Sequence, residues 1–339
     1  MNGGRAAKKS SRKDVAVRAG VSPPTVSRAL NDHPSIPVST RDKIKRIARE
    51  LGYIPSHIGR SHYQKKSFRL AAIIPYRKIS GGIHSINNEH LTVFLYGAIQ
   101  SAAAEEYSVT VIADTGLSSE VLAGLVLSRR VDALILLGCK VADHRPADLH
   151  RLGIPFILIH HYVRSKPYLY IDSEPLSGYQ ELFAYLTGRG VQSLGFLGGG
   201  GQLIDAMDRK NVVWELARKH GLPITRVVEG NFTIQSGLAA AGTFAAHPFP
   251  DVIVCANDNM AFGLIEGLKQ RGVRIPDDVG VTGFDDFELS AFISPKLTTI
   301  HNPFFDIGVE AGRLLLARLK GKEVESKKFT TNLIVRESA

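Results

Sequence analysis

The chain has 339 residues, of which 44% are hydrophobic and 22% charged, and its formal net charge is +10. This length is sufficient for two or three domains with a large buried core, and the composition is typical of a globular protein. No apolar run approaches the roughly 18 residues of a membrane span and the N-terminal stretch has no apolar signal core, so we expect a cytoplasmic protein without a membrane partner.

The positive charge is concentrated in the N-terminal part of the sequence. Residues 1–66 contain 15 Lys and Arg against 4 Asp and Glu, whereas the rest of the chain contains 27 against 28. A basic segment of this kind is the expected electrostatic footprint on nucleic-acid phosphates. A solvated basic tail would account for Lys8 and Lys9, but it would not account for the helical pattern that follows them.

Residues 11–31 predict two short helices joined by a tight turn. The apolar positions fall on one face of each helix: Val15, Ala16 and Ala19 on the first, and Val26, Ala29 and Leu30 on the second. Gly20 suits the end of the first helix, and Ser22 followed by Pro23 suits the start of the second. The pattern is that of a helix-turn-helix, and a third helix over 39–51 would cover its apolar side.

From Phe68 onward, apolar runs alternate with helical patterns, which predicts parallel sheets flanked by helices. The predicted strands are 70–75, 109–113, 133–137 and 156–160 in a first set, and 193–197, 252–256 and 280–282 in a second. Two doubly wound α/β halves of this kind bind ligands in the crevice beyond the carboxyl ends of their strands.

The helix-turn-helix residues resemble the opening signature of the lactose-repressor (LacI/GalR) family of bacterial transcription regulators, which runs D-V-A-x-x-A-G-V-S-x-x-T-V-S-R-x-L-N. The chain supplies the fixed positions at 14–16, 19–22, 25–28 and 30–31. Similar family markers recur at 131–134, 196–199, 256–261, 283–286 and 297–300, so the resemblance covers nearly the whole chain.

The resemblance implies an α/β protein with a three-helix headpiece over 1–52, a hinge helix or linker over 53–66, and an effector-binding and dimerisation domain over 67–339. That domain would resemble a periplasmic sugar-binding protein. Its first half would comprise about 67–163 and 293–322, and its second half about 164–292 and 323–339. The chain would cross between the halves near 161–167, 290–295 and 320–327, and residues 329–335 would add a strand to the second half.

The resemblance also implies a DNA-contact surface on the second helix and the hinge. Pro23 and Pro24 lack side-chain donors and acceptors, so Arg28 is the best candidate for a guanine contact in the major groove. The complete predicted set is Arg12, Ser22, Pro23, Pro24, Thr25, Ser27, Arg28, Asn31, Tyr53, Ser56, His57, Ile58, Arg60 and His62. His62 stands where relatives insert a leucine into the minor groove, which leaves open an altered kink, a minor-groove histidine or a weaker bend.

Seven residues are predicted to contact a small effector between the two halves: His90, Leu91, His160, Arg209, Phe232, Asn257 and Asp285. Arg209 offers a fixed fork of donors, Asp285 accepts from hydroxyls or amines, and Phe232 matches an aromatic residue that stacks on the ligand. The ligand implied is a small polar metabolite, a sugar or a sugar derivative.

Other chemistries have less support in the sequence. The glycines at 198–201 follow a strand but lack the Gly-Lys-Ser/Thr of a phosphate-binding loop, and His160-His161 has no further cluster at metal-ligand spacing. We therefore expect no cofactor, no metal and no enzymatic activity. A sugar-metabolising enzyme or a transport-type binding protein is disfavoured by the basic headpiece and the absence of a signal core.

Together these features predict a regulator that binds a pseudo-palindromic double-stranded operator as a homodimer, with a tetramer left open, and that associates with the nucleoid in the cytoplasm. The effector would alter its affinity for DNA, as an inducer or as a co-repressor. The alternative is an architectural, DNA-bending protein whose sensor is vestigial.

Overall fold

The computed structural model describes residues 10–53, 66–76, 89–163 and 165–339. The chain divides into two compact units, the first ending at Phe68 and the second beginning at Arg69. Among the residues described, every helix is too short or too polar to cross a lipid bilayer.

The described part of the first unit contains three helices, α1 (Arg12–Ala19), α2 (Pro23–Leu30) and α3 (Val38–Glu50). A capping box starts α1, in which Ser11 N donates to the Asp14 carboxylate (2.7 Å) and Asp14 N donates to Ser11 Oγ (3.4 Å). The core consists of one apolar stripe from each helix, namely Val15, Ala16, Ala19, Val26, Ala29, Ile44, Ile47 and Ala48, with Leu30 and Leu51 packed against them. The helix-turn-helix and its third helix therefore form as predicted.

The second unit contains two parallel sheets, as predicted from its alternating pattern. The strands of the first half are β1 (Arg69–Pro75), β2 (Ser108–Asp114), β3 (Ala133–Leu137), β4 (Phe156–Ile159), β5 (Tyr170–Glu174) and β11 (Lys327–Thr330), in the order β11-β5-β4-β3-β1-β2. The second half contains β6 (Leu194–Gly198), β7 (Ile224–Glu229), β8 (Val252–Cys255) and β9 (Gly280–Thr282), in the order β7-β6-β8-β9. A small antiparallel pair, β10 (Thr299–His301) and β12 (Asn332–Ile334), adjoins β9 through isolated bridges.

The helices cover both sheets. Those of the first half are α4 (Glu89–Ala104), α5 (Ser119–Leu127), α6 (Arg145–Arg151) and α11 (Phe304–Leu319), and those of the second are α7 (Pro175–Gly188), α8 (Ile204–His220), α9 (Ile234–Phe244) and α10 (Asp258–Lys269), with a 3₁₀ turn at Glu288–Ala291. In α7 the side chains of Tyr179, Phe183 and Leu186 are buried in the core of the second half.

The strand pairing differs from the predicted division into halves. Tyr170–Glu174 pairs with β4, so the first half extends beyond residue 163, and Lys327–Thr330 pairs with β5 in that same sheet. Residues 329–335 therefore do not form one strand of the second half, because they are divided at Thr331 between β11 and β12. The polar strand Y-I-D-S-E has no apolar run by which the sequence pattern could identify it.

Within the described residues the chain passes between the halves three times, after Glu174, after His301 and at Thr331. These passages are bonded to one another. The Thr331 hydroxyl donates to Glu174 O (2.9 Å) and accepts from Gly178 N (3.1 Å). A Cβ atom at Gly178 would lie 2.4 Å from Ile300 Cγ2 and 2.7 Å from Thr331 Oγ1, so the passages meet around a residue without a side chain.

Helices α4 and α11 pack with their backbones in close contact. A Cβ atom added at Gly97 would lie 2.2 Å from Phe305 O, and one added at Gly308 would lie 2.0 Å from Phe94 O. Real Cβ atoms do not approach backbone oxygens so closely, so a side chain at either position would force the helices apart.

We predict that Gly308→Ala lowers the free energy of unfolding of the second unit by about 2 kcal/mol or more, because overpacking here meets backbone rather than a movable side chain. The matched control is Gly124→Ala in α5, where a Cβ atom meets nothing within 4 Å. That change should be neutral or stabilising by up to about 1 kcal/mol, since alanine is the better helix former. Urea unfolding of both variants makes the comparison, and equal stabilities would contradict the prediction.

Candidate functional site

The carboxyl ends of the strands meet at a cleft between the halves, and the backbone there is strained. Positive φ angles occur at four non-glycine residues that follow strands on this side: His160 (54°), Phe232 (66°), Asp285 (121°) and Asp286 (56°). Such conformations cost of order 1–3 kcal/mol each and cluster at ligand sites. Three of these residues were predicted from the sequence to contact the effector.

Arg209 is buried at the centre of this region, and both terminal nitrogens of its guanidinium are bonded to other residues of the protein. Its Nη2 lies 3.2 Å from Asp285 Oδ1, and its Nη1 donates to Ala256 O at 2.5 Å. The guanidinium carbon lies 3.9 Å from the ring centroid of Phe284 and 5.8 Å from that of Phe232. The structure therefore brings together Arg209, Asp285 and Phe232, although the arginine fork that was expected to face a ligand is paired with Asp285.

Asp285 is a buried carboxylate in an environment that opposes its charge. Burial raises the pKa of Asp285 to about 7, and the positive charge of Arg209 offsets only part of that effect. Asn302 Nδ2 also donates to Asp285 Oδ1, at 3.4 Å. Asn302 Oδ1 is buried and makes no hydrogen bond with any described residue.

His160 lies on the first-half side of the same cleft. Its Nδ1 lies 3.2 Å from Asp172 Oδ1, and its Nε2 is buried with no hydrogen-bond partner among the described residues. Burial alone would lower the pKa of His160, but the hydrogen bond with Asp172 and the charge of that carboxylate raise it above its usual value. The imidazole is thus held by Asp172 with its second nitrogen unsatisfied.

An aromatic cluster adjoins His160. The His90 ring stacks on Phe287 with centroids 6.3 Å apart and contacts Phe304 at 5.5 Å, and Phe304 also meets the edge of His160 at 5.6 Å. Leu91, the next residue of α4, is buried. The cluster therefore joins His90 of α4, in the first half, to Phe287 of the second half.

Asn257 has a structural role. Its side-chain oxygen accepts from Met260 N (3.0 Å) and caps α10, and its Nδ2 donates to Phe232 O (3.2 Å). Asn257 therefore fixes the backbone that carries Phe232, whose ring lies over Gly199 so closely that a Cβ atom there would be 2.0 Å from the ring.

Sequence reasoning missed several residues of the cleft: Asp172, Phe287, Asn302 and Phe304. Asp172 was missed because its strand is polar, and Asn302 because β10 is only three residues long. The dipeptide Asn302-Pro303 before a helix was the available signal, since it predicts a turn where the chain re-enters the first half. Within the described residues no group of three or more His, Cys, Asp or Glu could hold a metal ion.

Most of the headpiece residues predicted to contact DNA lie on α2 or at its ends, while Arg12 begins α1 and Tyr53 follows α3. Arg12, Ser22, Pro24 and Arg28 are exposed, whereas Pro23, Thr25, Ser27, Asn31 and Tyr53 are half-buried. Ser22 Oγ and Thr25 Oγ1 are 2.8 Å apart at the start of α2, and Asn31 Nδ2 donates to Ser27 O (2.8 Å), so these groups also stabilise the helix ends. The remaining predicted contacts, Ser56, His57, Ile58, Arg60 and His62, lie outside the described residues.

Two family models match the chain. The model of bacterial regulatory proteins of the lacI family matches residues 12–56, and that of the periplasmic binding protein-like domain matches residues 183–339. The helix-turn-helix unit and the two-lobed unit with its polar cleft define a DNA-binding transcriptional regulator. The chain belongs to the LacI family of these regulators.

Similar proteins cover the chain from end to end. The transcriptional repressor CytR of Escherichia coli K12 is 28% identical over 335 residues, which are 96% of this chain and 95% of CytR. A transcriptional regulator CelR–cellobiose complex superimposes with a TM-score of 0.72 and 25% identity, covering 97% of this chain and 100% of CelR. The Lac repressor dimer bound to operator and the anti-inducer ONPF gives a TM-score of 0.80 at 24% identity, covering 98% of this chain and 99% of that one, and shows the same fold.

The unusual ionisation of Asp285 generates a prediction about stability and pH. Its pKa is raised from 3.8 to about 7, so between these values the folded protein binds a proton that the unfolded chain releases. The contribution of Asp285 to stability therefore falls as the pH rises from about 4 to about 7 and is constant above that range. We predict that the native protein loses stability relative to Asp285→Asn as the pH is raised from 5 to 7.

The matched control is Asp278→Asn. The hydrogen bond with Arg274 lowers the pKa of Asp278 below its usual value of 3.8. The contribution of Asp278 to stability is therefore lost only when the pH falls below about 3.8. The difference in unfolding free energy between this variant and the native protein should be constant between pH 5 and pH 8. A pH-independent difference for Asp285→Asn as well would contradict the raised pKa.

Proposed function

We propose that this protein is a transcriptional repressor that binds a pseudo-palindromic operator as a homodimer, and that a small polar metabolite in the cleft changes its affinity for DNA. In this proposal residues 1–52 read the operator, residues 53–66 contact the minor groove, and residues 67–339 bind the effector and form the dimer. CytR is named as a repressor, and CelR is described in complex with cellobiose, which supports the assignment of both activities. The protein has no catalytic role in this proposal, and it acts in the cytoplasm on nucleoid DNA.

The observation that carries the effector proposal is the presence of buried, unsatisfied polar atoms beside the Arg209–Asp285 pair. His160 Nε2 and Asn302 Oδ1 have no hydrogen-bond partner among the described residues, and each such atom costs about 1–3 kcal/mol when buried. A ligand with hydroxyl groups supplies the missing donors and acceptors. This favours a functional sensor over the architectural alternative, in which the cleft would remain without a ligand.

The charge balance of the cleft favours a neutral ligand. Arg209 faces Asp285, and His160 faces Asp172, so each of these two basic groups already has a carboxylate beside it. A phosphate or carboxylate on the ligand would have to compete with these pairs and would add a buried negative charge. We therefore propose a neutral, hydroxyl-rich metabolite such as a sugar or a nucleoside.

The DNA proposal depends on Arg28, which is exposed on α2, the helix that begins with Pro23 and Pro24, whose side chains have no hydrogen-bond donor or acceptor. We predict that Arg28→Ala removes the preference for one base pair in each half-site, a loss of about 1–3 kcal/mol of discrimination, because a bidentate contact to guanine disappears. Selection of binding sites from a random DNA pool measures this preference. Arg18→Ala is the control, since Arg18 lies on α1 and pairs with Glu50 (3.1 Å). An unchanged selection profile for Arg28→Ala would contradict the assignment of Arg28 to a guanine contact.

The effector proposal is tested by thermal unfolding with neutral sugars and nucleosides, each paired with its phosphorylated or carboxylated form. A ligand at 100 times its Kd stabilises by about 2.7 kcal/mol. We predict that a neutral member raises the melting temperature more than its anionic counterpart, and that Arg209→Lys abolishes the shift, because lysine lacks the planar fork. Arg218→Lys, an exposed position on the same helix, should retain it. Stabilisation by anionic compounds alone would contradict the charge argument.

A further inference from the structure

Contacts across the cleft join the two halves. The clearest involves Tyr162, which lies three residues beyond β4 in the first half. Its hydroxyl donates to both carboxylate oxygens of Asp208 on α8 of the second half, at 2.9 and 2.8 Å. Asp208 immediately precedes Arg209, so this bond holds the helix that carries the central cleft residue.

Lys328 completes the group from the neighbouring strand β11. Its Nζ lies 3.7 Å from Asp208 Oδ2 and 4.0 Å from the centroid of the Tyr162 ring. The Tyr162 ring also packs on Tyr170 of β5, with centroids 5.5 Å apart. Since Lys328 and Tyr162 both belong to the first half, Asp208 is the one member that moves away if the halves separate. A hydrogen bond to a charged group in this partly buried setting is stronger than a neutral one.

Two further contacts join the halves. In the first of these, Val141 N donates to Gln202 O (2.9 Å) in the loop that leads into α8. In a separate contact, Glu288 N donates to the carboxylate of Glu89 (2.8 Å) at the start of α4. These two amides belong to different segments, and each is protected only while the halves are together.

We propose that Tyr162, Asp208 and Lys328 form a latch that holds the two halves closed before an effector binds. The latch sets the fraction of closed protein, and therefore the amount of binding energy that an effector must supply to shift the equilibrium between open and closed forms. The effect of the latch on effector binding rests on the proposed function. The latch itself can be tested without DNA and without an effector.

The test is hydrogen exchange of the full-length protein, followed by mass spectrometry. Tyr162→Phe removes only the hydroxyl and keeps the ring that contacts Lys328 and Tyr170. We expect the amides of Val141 and Glu288 to exchange about tenfold faster, as for the loss of one hydrogen bond to a charged group. Tyr170→Phe is the matched control, because within the described residues its hydroxyl makes no hydrogen bond to α8, and it should leave both amides unchanged.

A double-mutant cycle identifies the interaction. Asp208→Ala should accelerate the same two amides, and combining it with Tyr162→Phe should add little, since either change alone breaks the same bond. Unchanged exchange in Tyr162→Phe would overturn the latch. Acceleration at Val141 alone would show a local break and also overturn it, as would faster exchange throughout β3 and β8, which would indicate a general loss of stability.

Discussion

The buried pair between Arg209 and Asp285 is the interaction on which the cleft depends. It connects α8 to the end of β9, and through the Ala256 carbonyl it also fixes the end of β8. Burying a guanidinium costs free energy unless its N–H groups are hydrogen-bonded. The bonds from Arg209 to Ala256 O and Asp285 therefore fix the position of α8 over the sheet. Phe284 and Phe232 flank the faces of the guanidinium and restrict it further.

The two units differ in net charge. The basic excess lies entirely within residues 1–66, where phosphate attraction is useful, while the remainder is close to neutral. Charge is also balanced within the cleft, because Arg209 lies beside Asp285 and His160 lies beside Asp172. In the proposed function, the cleft recognises its ligand by directed hydrogen bonds and aromatic surfaces, whereas the headpiece combines nonspecific attraction to DNA with the exposed Arg28 on α2.

Local signals predicted the headpiece to within a residue or two at the ends of its helices, because capping residues and apolar stripes are encoded within single helices. The buried strands β3, β4 and β8 were equally evident. Strands β5 and β7 were not, since polar residues interrupt them, and the predicted boundaries between the halves were displaced as a result. Arg209 and Asp285 were predicted individually. Their mutual contact spans 76 positions of sequence, and no local pattern encodes it.

The meeting of the three chain passages around Gly178 has a mechanical consequence. Thr331 is bonded to Glu174 and Gly178, and the passage after His301 joins them through the pairing of β10 with β12, so the three passages lie together at one short connection between the halves. Rotation of one half against the other about this point would require dihedral changes in only a few residues and would leave the core of each half intact. The chain connections would therefore restrict the directions in which one half can rotate against the other.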